Sequence, residues 1–221
     1  MGLVITALAV GATYSCVGCN TAKTVVVEEK GSGGPEKTAR VIAEAVSRSV
    51  QVFCTGLEKK SRGSGVIIKS AGTEALVASA EHVMSKDCML TIVDTDGGVY
   101  LLYDLESNKE NDLATAKFFT TKNYSELQIK TPTLGEPVFT VGWPLDKLKR
   151  KAWLTVTRGV VAAEYDWRYR ITAPIWYGSS GGPVFNTRGE LICIVSSMAL
   201  YSDGTYYCAK ASLIKDVGNG G

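Results

Sequence analysis

Gly178-Ser179-Ser180-Gly181-Gly182-Pro183 sets a serine among glycines. It leads at once into Val184-Phe185 and then into Leu191-Ile192-Cys193-Ile194-Val195, an apolar run that reads as a buried strand. A serine hydroxyl is a weak nucleophile until a neighbouring base takes its proton. A developing oxyanion needs backbone N–H groups aimed at it, and glycine lets the chain turn tightly enough to aim them. On this reading Ser180 is the nucleophile, and the N–H groups of Gly178 and Ser180 form the oxyanion hole. The plainer reading is a Gly/Ser-rich turn between two strands. The rest of the chain decides between them by supplying a base or failing to.

The chain holds a single histidine, His82. It follows the apolar run Ala75-Leu76-Val77-Ala78-Ser79-Ala80 and so stands just past the end of a predicted strand. A lone histidine is commonly structural or simply exposed, but an imidazole titrating near neutrality is what a serine nucleophile needs. The third member of such a set is a buried carboxylate that orients the ring. Asp112, in Asn111-Asp112-Leu113-Ala114, opens a run that turns apolar and is the best candidate. Asp94 and Asp96 sit in a turn-like Asp-Thr-Asp-Gly-Gly stretch and Asp104 precedes an acidic loop, so these rivals read as solvated turn carboxylates.

From Val50 onward the pattern is strand-like: six short strands to residue 118, then seven more from Pro137 to Ala211, with turn residues between them. Many short strands at regular spacing indicate an all-β barrel or sandwich. Two halves, about 50–120 and 135–217, fit two barrels joined by residues 120–134, with His82 and Asp112 from the first and Ser180 from the second. A cleft between two rigid halves suits a substrate groove.

The order His82, Asp112, Ser180 matches one of the known chain orders of this constellation. Six stretches extend the likeness: Gly63-Ser64-Gly65-Val66-Ile67-Ile68, Ser79-Ala80-Glu81-His82-Val83, Asn111-Asp112-Leu113-Ala114, Val138-Phe139-Thr140-Val141-Gly142-Trp143-Pro144, Thr155-Val156-Thr157-Arg158-Gly159-Val160-Val161, and Ala173-Pro174-Ile175 running into the serine motif. In order and without large gaps over residues 40–217, they resemble the trypsin-like serine peptidases, and most of all the HtrA-like branch. The resemblance implies two six-stranded antiparallel β-barrels, protein or peptide substrates, and no metal or organic cofactor. It implies that Thr172, Pro174, Ile175, Ser196 and Ser197 line the pocket for the residue before the scissile bond, and that the substrate backbone pairs with the strand edge at Val195-Ser196-Ser197. No acidic residue falls among these six, so a small or medium apolar residue is expected before the scissile bond, rather than Lys or Arg. Ser179 stands where the family usually has asparagine, and Glu81 where a small or polar residue is common. The chain ends at Gly221 without the PDZ domains common in HtrA-like proteins, which removes any expectation of PDZ-dependent activation.

The N-terminus reads separately. Residues 3–15 are apolar but shorter than the ~20 residues a membrane-spanning helix needs. They suit an export signal, although Met1-Gly2 lacks the usual basic residue. Gly18-Cys19 resembles the end of a lipoprotein signal, making Cys19 a candidate lipidation site and the N-terminus a candidate membrane tether. The bland alternative is an apolar arm of an intracellular or viral protein. Residues 20–37 read as a flexible linker. Thr38 to Ser47 has helical spacing, with Ala39, Ile42, Ala43 and Val46 on one face and Thr38 at the cap.

Apart from Cys16 and Cys19, four cysteines remain: Cys54, Cys88, Cys193 and Cys208. An even number fits two disulfides in an exported domain. Of the three connectivities, Cys54–Cys88 and Cys193–Cys208 are favoured, the second because a hairpin near Ser202-Asp203-Gly204 brings its strands together. Four buried free thiols are the alternative. A net charge of +2, with no basic stripe interleaved by aromatics, gives no ground for a nucleic-acid partner. The basic run Lys147-Leu148-Lys149-Arg150-Lys151 reads as a solvated loop, with anionic lipid or an acidic substrate as the sharper alternative. The two rival functions are a trypsin-like domain that binds peptides or a partner without cleaving, and a viral processing protease.

Overall fold

The alternation that begins at Val50 buries one face of the strands Ser49–Thr55, Met89–Val93 and Arg168–Ile171. The strands Lys60–Ala71, Leu113–Phe119, Pro137–Gly142 and Pro183–Asn186 are buried on both faces over much of their length, and all of them assemble into two sheets. The computed structural model describes residues 35–57, 60–146, 151–198 and 205–217. It opens with helix α1 (Pro35–Arg48). The first sheet holds β1 (Ser49–Thr55), β2 (Lys60–Ala71), β3 (Glu74–Ser79), β4 (Met89–Val93), β5 (Val99–Leu101), β6 (Tyr103–Asn108) and β7 (Leu113–Phe119). After a connection that includes residues 120–134 come β8 (Pro137–Gly142), a small hairpin of β9 (Leu145–Asp146) and β10 (Lys151–Ala152), then β11 (Thr155–Glu164) and β12 (Arg168–Ile171). The chain closes with β13 (Pro183–Asn186), β14 (Leu191–Met198), β15 (Tyr206–Lys210) and a 3-10 turn, Ala211–Asp216.

The second half is a closed six-stranded barrel, in the order β11-β12-β15-β14-β13-β8. The first half corrects the expectation of a second six-stranded barrel. It is a seven-stranded antiparallel sheet, ordered β5-β4-β1-β2-β3-β7-β6, curled but not closed. The reason lies at Leu102. The sequence predicts one strand over Val99–Leu105, which would close the sheet only if it laddered with both β4 and β7 along its length; instead its two parts pair with one edge each. The chain pairs with β4 up to Leu101, buries Leu102 with its N–H donating to the Leu90 carbonyl at 2.9 Å, and then joins β7 at Tyr103. Consecutive strands thus occupy opposite edges, which forces the sheet to curl.

Three apolar clusters hold this together. One fills the first sheet around Val52, Ile67, Val77, Ile92 and Phe118. One fills the barrel around Ile171, Val184, Ile192 and Val195. The third lies between the two, with Val66, Ile68 and Leu113 of the first sheet against Phe139, Val141, Phe185, Leu191 and Ile194 of the barrel. Helix α1 packs on this seam through Ala45, Val41, Ile42 and Val46; of the predicted face Ile42 and Val46 pack there while Ala39 and Ala43 are exposed, so the buried face is turned towards Val41 and Ala45. The helix also starts earlier than predicted, at Pro35, a residue suited to a first turn because its missing N–H would be unpaired there. The last three residues of the expected linker are therefore helical.

The sequence also predicts a break between Thr157 and Val160. Instead β11 runs straight through Gly159, where a Cβ would lie 2.2 Å from the Ala173 nitrogen; this glycine serves close approach, not a turn. The signal segment with Cys19, the linker up to residue 34, the basic run at 147–150 and the hairpin at 202–204 lie outside the described residues.

The favoured cysteine pairing is the one found. Cys54–Cys88 ties β1 to the segment that follows His82, and Cys193–Cys208 ties β14 to β15; each pair has its Cα atoms 5.4 Å apart. The second pair is fully buried and closes a loop of sequence separation 15. Constraining an unfolded chain over such a loop is worth about 3 kcal/mol. The Cys193→Ala/Cys208→Ala double variant should lose about that much in chemical denaturation, and peptide mapping without reduction should recover both cross-links.

Candidate active site

Antiparallel pairing of β3 with β7 brings the first two site residues together. Ser79 at the end of β3 lies opposite Ala114 near the start of β7. His82 sits three residues past β3, in a turn where Val83 N–H donates to the Ala80 carbonyl at 3.1 Å, and Asp112 sits one residue before β7. Both loops therefore leave the same end of the sheet. Asp112 has φ +50°, a left-handed conformation that aspartate tolerates better than most residues. Its carboxylate lies 2.9 and 3.0 Å from His82 Nδ1 and accepts the His82 backbone N–H at 3.1 Å. The Ser196 hydroxyl donates to the other carboxylate oxygen. Burial alone would push this carboxyl up, but the hydrogen bonds from His82 and Ser196, with the imidazole beside it, hold it below its ordinary value. A carboxylate on Nδ1 fixes the proton there and leaves Nε2 as the acceptor.

The nucleophile loop is set by short backbone contacts. Ser179 N–H donates to the Trp176 carbonyl at 2.9 Å, closing a turn whose third residue, Gly178, has φ +93°. Positive φ at that position is what a type II turn needs, and glycine takes it without strain. Tyr177 carbonyl accepts the Leu145 N–H at 2.8 Å. Because the peptide plane is trans, the Gly178 N–H must point away from Leu145. Among the described residues neither this N–H nor that of Ser180 meets an acceptor. Gly181 has φ +84°, and a Cβ there would sit within 2.1 Å of both Ser79 Oγ and the Ser64 carbonyl, so only glycine fits. Its N–H donates to the Val195 carbonyl at 2.7 Å, holding the loop to β14. The Ser180 hydroxyl donates to the Ser196 carbonyl at 3.3 Å, longer than a good O–H···O bond.

A cleft of about 390 Å³ opens at this point, lined by His82, Ile175, Trp176, Tyr177, Ser180, Ser196 and Ser197. Of the six residues predicted to bind substrate, it brings together Ile175, Ser196 and Ser197. The other three do not line it. Thr172 is exposed and its hydroxyl accepts the Val160 N–H at 2.9 Å; Pro174 turns its carbonyl to the Thr157 hydroxyl at 2.7 Å; Val195 is buried in the barrel core. Period-two alternation explains Val195, since neighbours on a strand face opposite sides. Ser196 is itself mainly an Asp112 partner, with its hydroxyl turned to that carboxylate. Among the described residues no three His, Cys, Asp or Glu side chains gather as metal ligands.

Two contributors were given no role by sequence reasoning. Ser64 is buried; its hydroxyl donates to the Gly178 carbonyl at 2.7 Å and accepts the Trp143 N–H at 2.9 Å. Its position between Gly63 and Gly65 was the available signal, for a Cβ on Gly63 would lie 2.7 Å from the Ser180 carbonyl. Ser179, the departure from asparagine, is also buried, and its hydroxyl accepts the Trp176 N–H at 3.3 Å.

Comparison with known proteins agrees with this arrangement. The family model for the trypsin-like peptidase domain matches residues 63–194. The chain is 26% identical over 175 residues to a probable periplasmic serine endoprotease DegP-like of Rhizobium meliloti, covering 73% of this chain and 33% of that protein. It is 28% identical to the serine endoprotease DegS of Salmonella typhimurium, over 62% of this chain and 40% of that one. It is also 28% identical to the serine protease Do-like HtrA of Lactococcus lactis, over 64% and 38%. The chain thus spans a third to two fifths of these relatives' length. The crystal structure of a serine endoprotease from Yersinia pestis superposes with a TM-score of 0.70 at 25% identity, covering 81% of this chain and 64% of that one. With well over half of its residues inside the matched region, the chain belongs to the trypsin-like peptidase family.

Proposed function

We propose that the chain is a serine endopeptidase in which Ser180, His82 and Asp112 act as a triad. The observation that carries this reading is the His82–Asp112 pair, oriented through Nδ1 and opening with Ser180 onto one cleft. In the reactive arrangement the Ser180 hydroxyl leaves its weak Ser196 contact and donates to Nε2 of His82, which borders the same cleft. His82 then takes the proton as Ser180 attacks the scissile carbonyl, and later gives it to the leaving amine. Asp112 keeps the ring in the right tautomer and stabilises the imidazolium. The N–H groups of Gly178 and Ser180 receive the oxyanion, preset by the turn and not assembled during reaction. The acyl half of the substrate lies along the end of β14 at Ser196–Ser197, as an added strand. Its P1 side chain rests on buried Ile175, in a cleft whose lining has no carboxylate, lysine or arginine, which supports an apolar P1 residue. Two disulfides and the periplasmic designation of one relative support export of the chain. Among the described residues no helix is long and apolar enough to cross a membrane.

A fluorophosphonate probe should label the full chain at Ser180, with labelling lost in Ser180→Ala and reduced about 10⁴-fold or more in His82→Ala. A folded wild type that stays unlabelled would instead favour a peptide-binding domain without catalysis. Asp112→Asn should cost about 10⁴-fold in turnover by leaving the ring in the wrong tautomer. The same carboxyl contributes to stability with a definite sign. Its folded value lies below the unfolded one, so its contribution is complete above pH ~4 and disappears as pH falls through the folded value. Acid titration of unfolding free energy should therefore fall more steeply below pH ~4 for the wild type than for Asp112→Asn. Ser64→Ala strips the buried anchor from Gly178, and its folding free energy should drop by about 1–3 kcal/mol. Probe labelling of that variant should slow while peptide mapping still finds both disulfides.

A further inference from the structure

We propose that Tyr177 and Trp153 form an aromatic subsite for the leaving half of the substrate, so that cleavage favours a bulky apolar residue just after the scissile bond. The inference rests on the peptidase reading above and concerns the surface that runs from the cleft at Tyr177 onto the neighbouring Trp153, which lies outside the cleft itself.

Both side chains are large, apolar and open to solvent: Tyr177 is 57% exposed and Trp153 50% exposed. Isolated exposed aromatics need no explanation, but these two flank one short hairpin beside the nucleophile. The Leu145 N–H holds the Tyr177 carbonyl at 2.8 Å, and the Trp153 N–H donates to the Pro144 carbonyl at 3.3 Å. β9 and β10 pair between them, Leu145 opposite Ala152 and Asp146 opposite Lys151. The two rings are therefore carried by a framework of backbone bonds, and Lys151 Nζ lies 4.4 Å from the centre of the Trp153 ring. An aromatic platform fixed before the ligand arrives loses little entropy on binding.

Direction follows from what touches each end of the nucleophile loop. Ser180 Oγ reaches the Ser196 carbonyl, on the β14 side that takes the acyl half. Gly178, the oxyanion donor, lies against the hairpin side: a Cβ on it would meet the Trp143 carbonyl at 2.8 Å and the Leu145 nitrogen at 3.0 Å. With the scissile carbonyl at the Gly178 N–H and the acyl chain along β14, the chain beyond the cleaved bond leaves over Tyr177 and the hairpin. A flat or branched apolar side chain there meets Tyr177 first and Trp153 next.

The test separates this subsite from the chemistry. Ser180→Ala protein, which cannot turn over, is titrated with two peptides identical up to the scissile bond and carrying Phe-Phe or Gly-Gly after it. Affinity for the Phe-Phe peptide should be higher by about fivefold or more. Adding Tyr177→Ala or Trp153→Ala should bring the two affinities to within about twofold, and Trp153→Phe should keep most of the preference. The wild type should show the same ordering in kcat/KM for the two peptides. Equal affinities in the Ser180→Ala parent, or a preference untouched by both alanine variants, would overturn the subsite. Probe labelling of the wild type reports the peptidase reading independently, so a failure of one is not mistaken for a failure of the other.

Discussion

Four hydrogen bonds meet at Ser64. Its N–H donates to the Ser180 carbonyl at 2.8 Å, its hydroxyl donates to the Gly178 carbonyl and accepts the Trp143 N–H, and its carbonyl accepts the Ser79 hydroxyl at 2.7 Å. β2 belongs to the first sheet, yet three of these partners belong to the second half of the chain. The oxyanion loop, the end of β8 and the strand that leads to His82 are therefore positioned from one buried residue. Buried polar groups are costly unless fully satisfied. Here satisfaction requires both halves to be in register, so pairing at Ser64 couples assembly of the fold to assembly of the site.

That coupling matters because the site residues come from different halves. His82 and Asp112 are brought together by the β3–β7 ladder, and Ser180 is fixed by its bonds to Ser64 and β14. Their relative placement depends on the apolar seam of Val66, Ile68, Leu113, Phe139, Val141 and Phe185. Interiors this dense resist small displacements, which gives the cleft a defined width without a dedicated brace. The connection between the halves adds to this. Leu127 N–H donates to the Ile68 carbonyl and Leu191 N–H to that of Gln128, so residues 127–128 bond to both sheets.

Much of this was legible in the residues. The glycine frame around Ser180, the single histidine after an apolar run and Asp112 before another are local patterns, and local patterns survive into structure. The barrel strands were legible for the same reason. What escaped depends on long-range geometry. Nothing local to Val99–Leu105 says that Leu102 is where the chain switches edges. The period-3.6 pattern of α1 admits two overlapping faces that share Ile42 and Val46, and only the seam selects Val41 and Ala45 over Ala39 and Ala43. Ser64 looks like any small polar residue in a strand until the loop it supports is folded against it.

Ser196 illustrates the same limit from the chemical side. Read as a strand residue near the pocket, it belongs to substrate recognition. In the fold its side chain turns inward to Asp112 while its carbonyl faces Ser180. One residue thus presents an acceptor to the nucleophile and a donor to the carboxylate, from the strand that also borders the cleft. Asp112 benefits directly. Its left-handed backbone carries some strain, and three donors, from one loop and from strand β14, converge on its carboxylate: the His82 N–H, the His82 ring and the Ser196 hydroxyl. The strained conformation is held because it is the one that lets a single carboxylate reach both halves of the molecule. The charge that orients the imidazole is thereby also a tie between the two sheets.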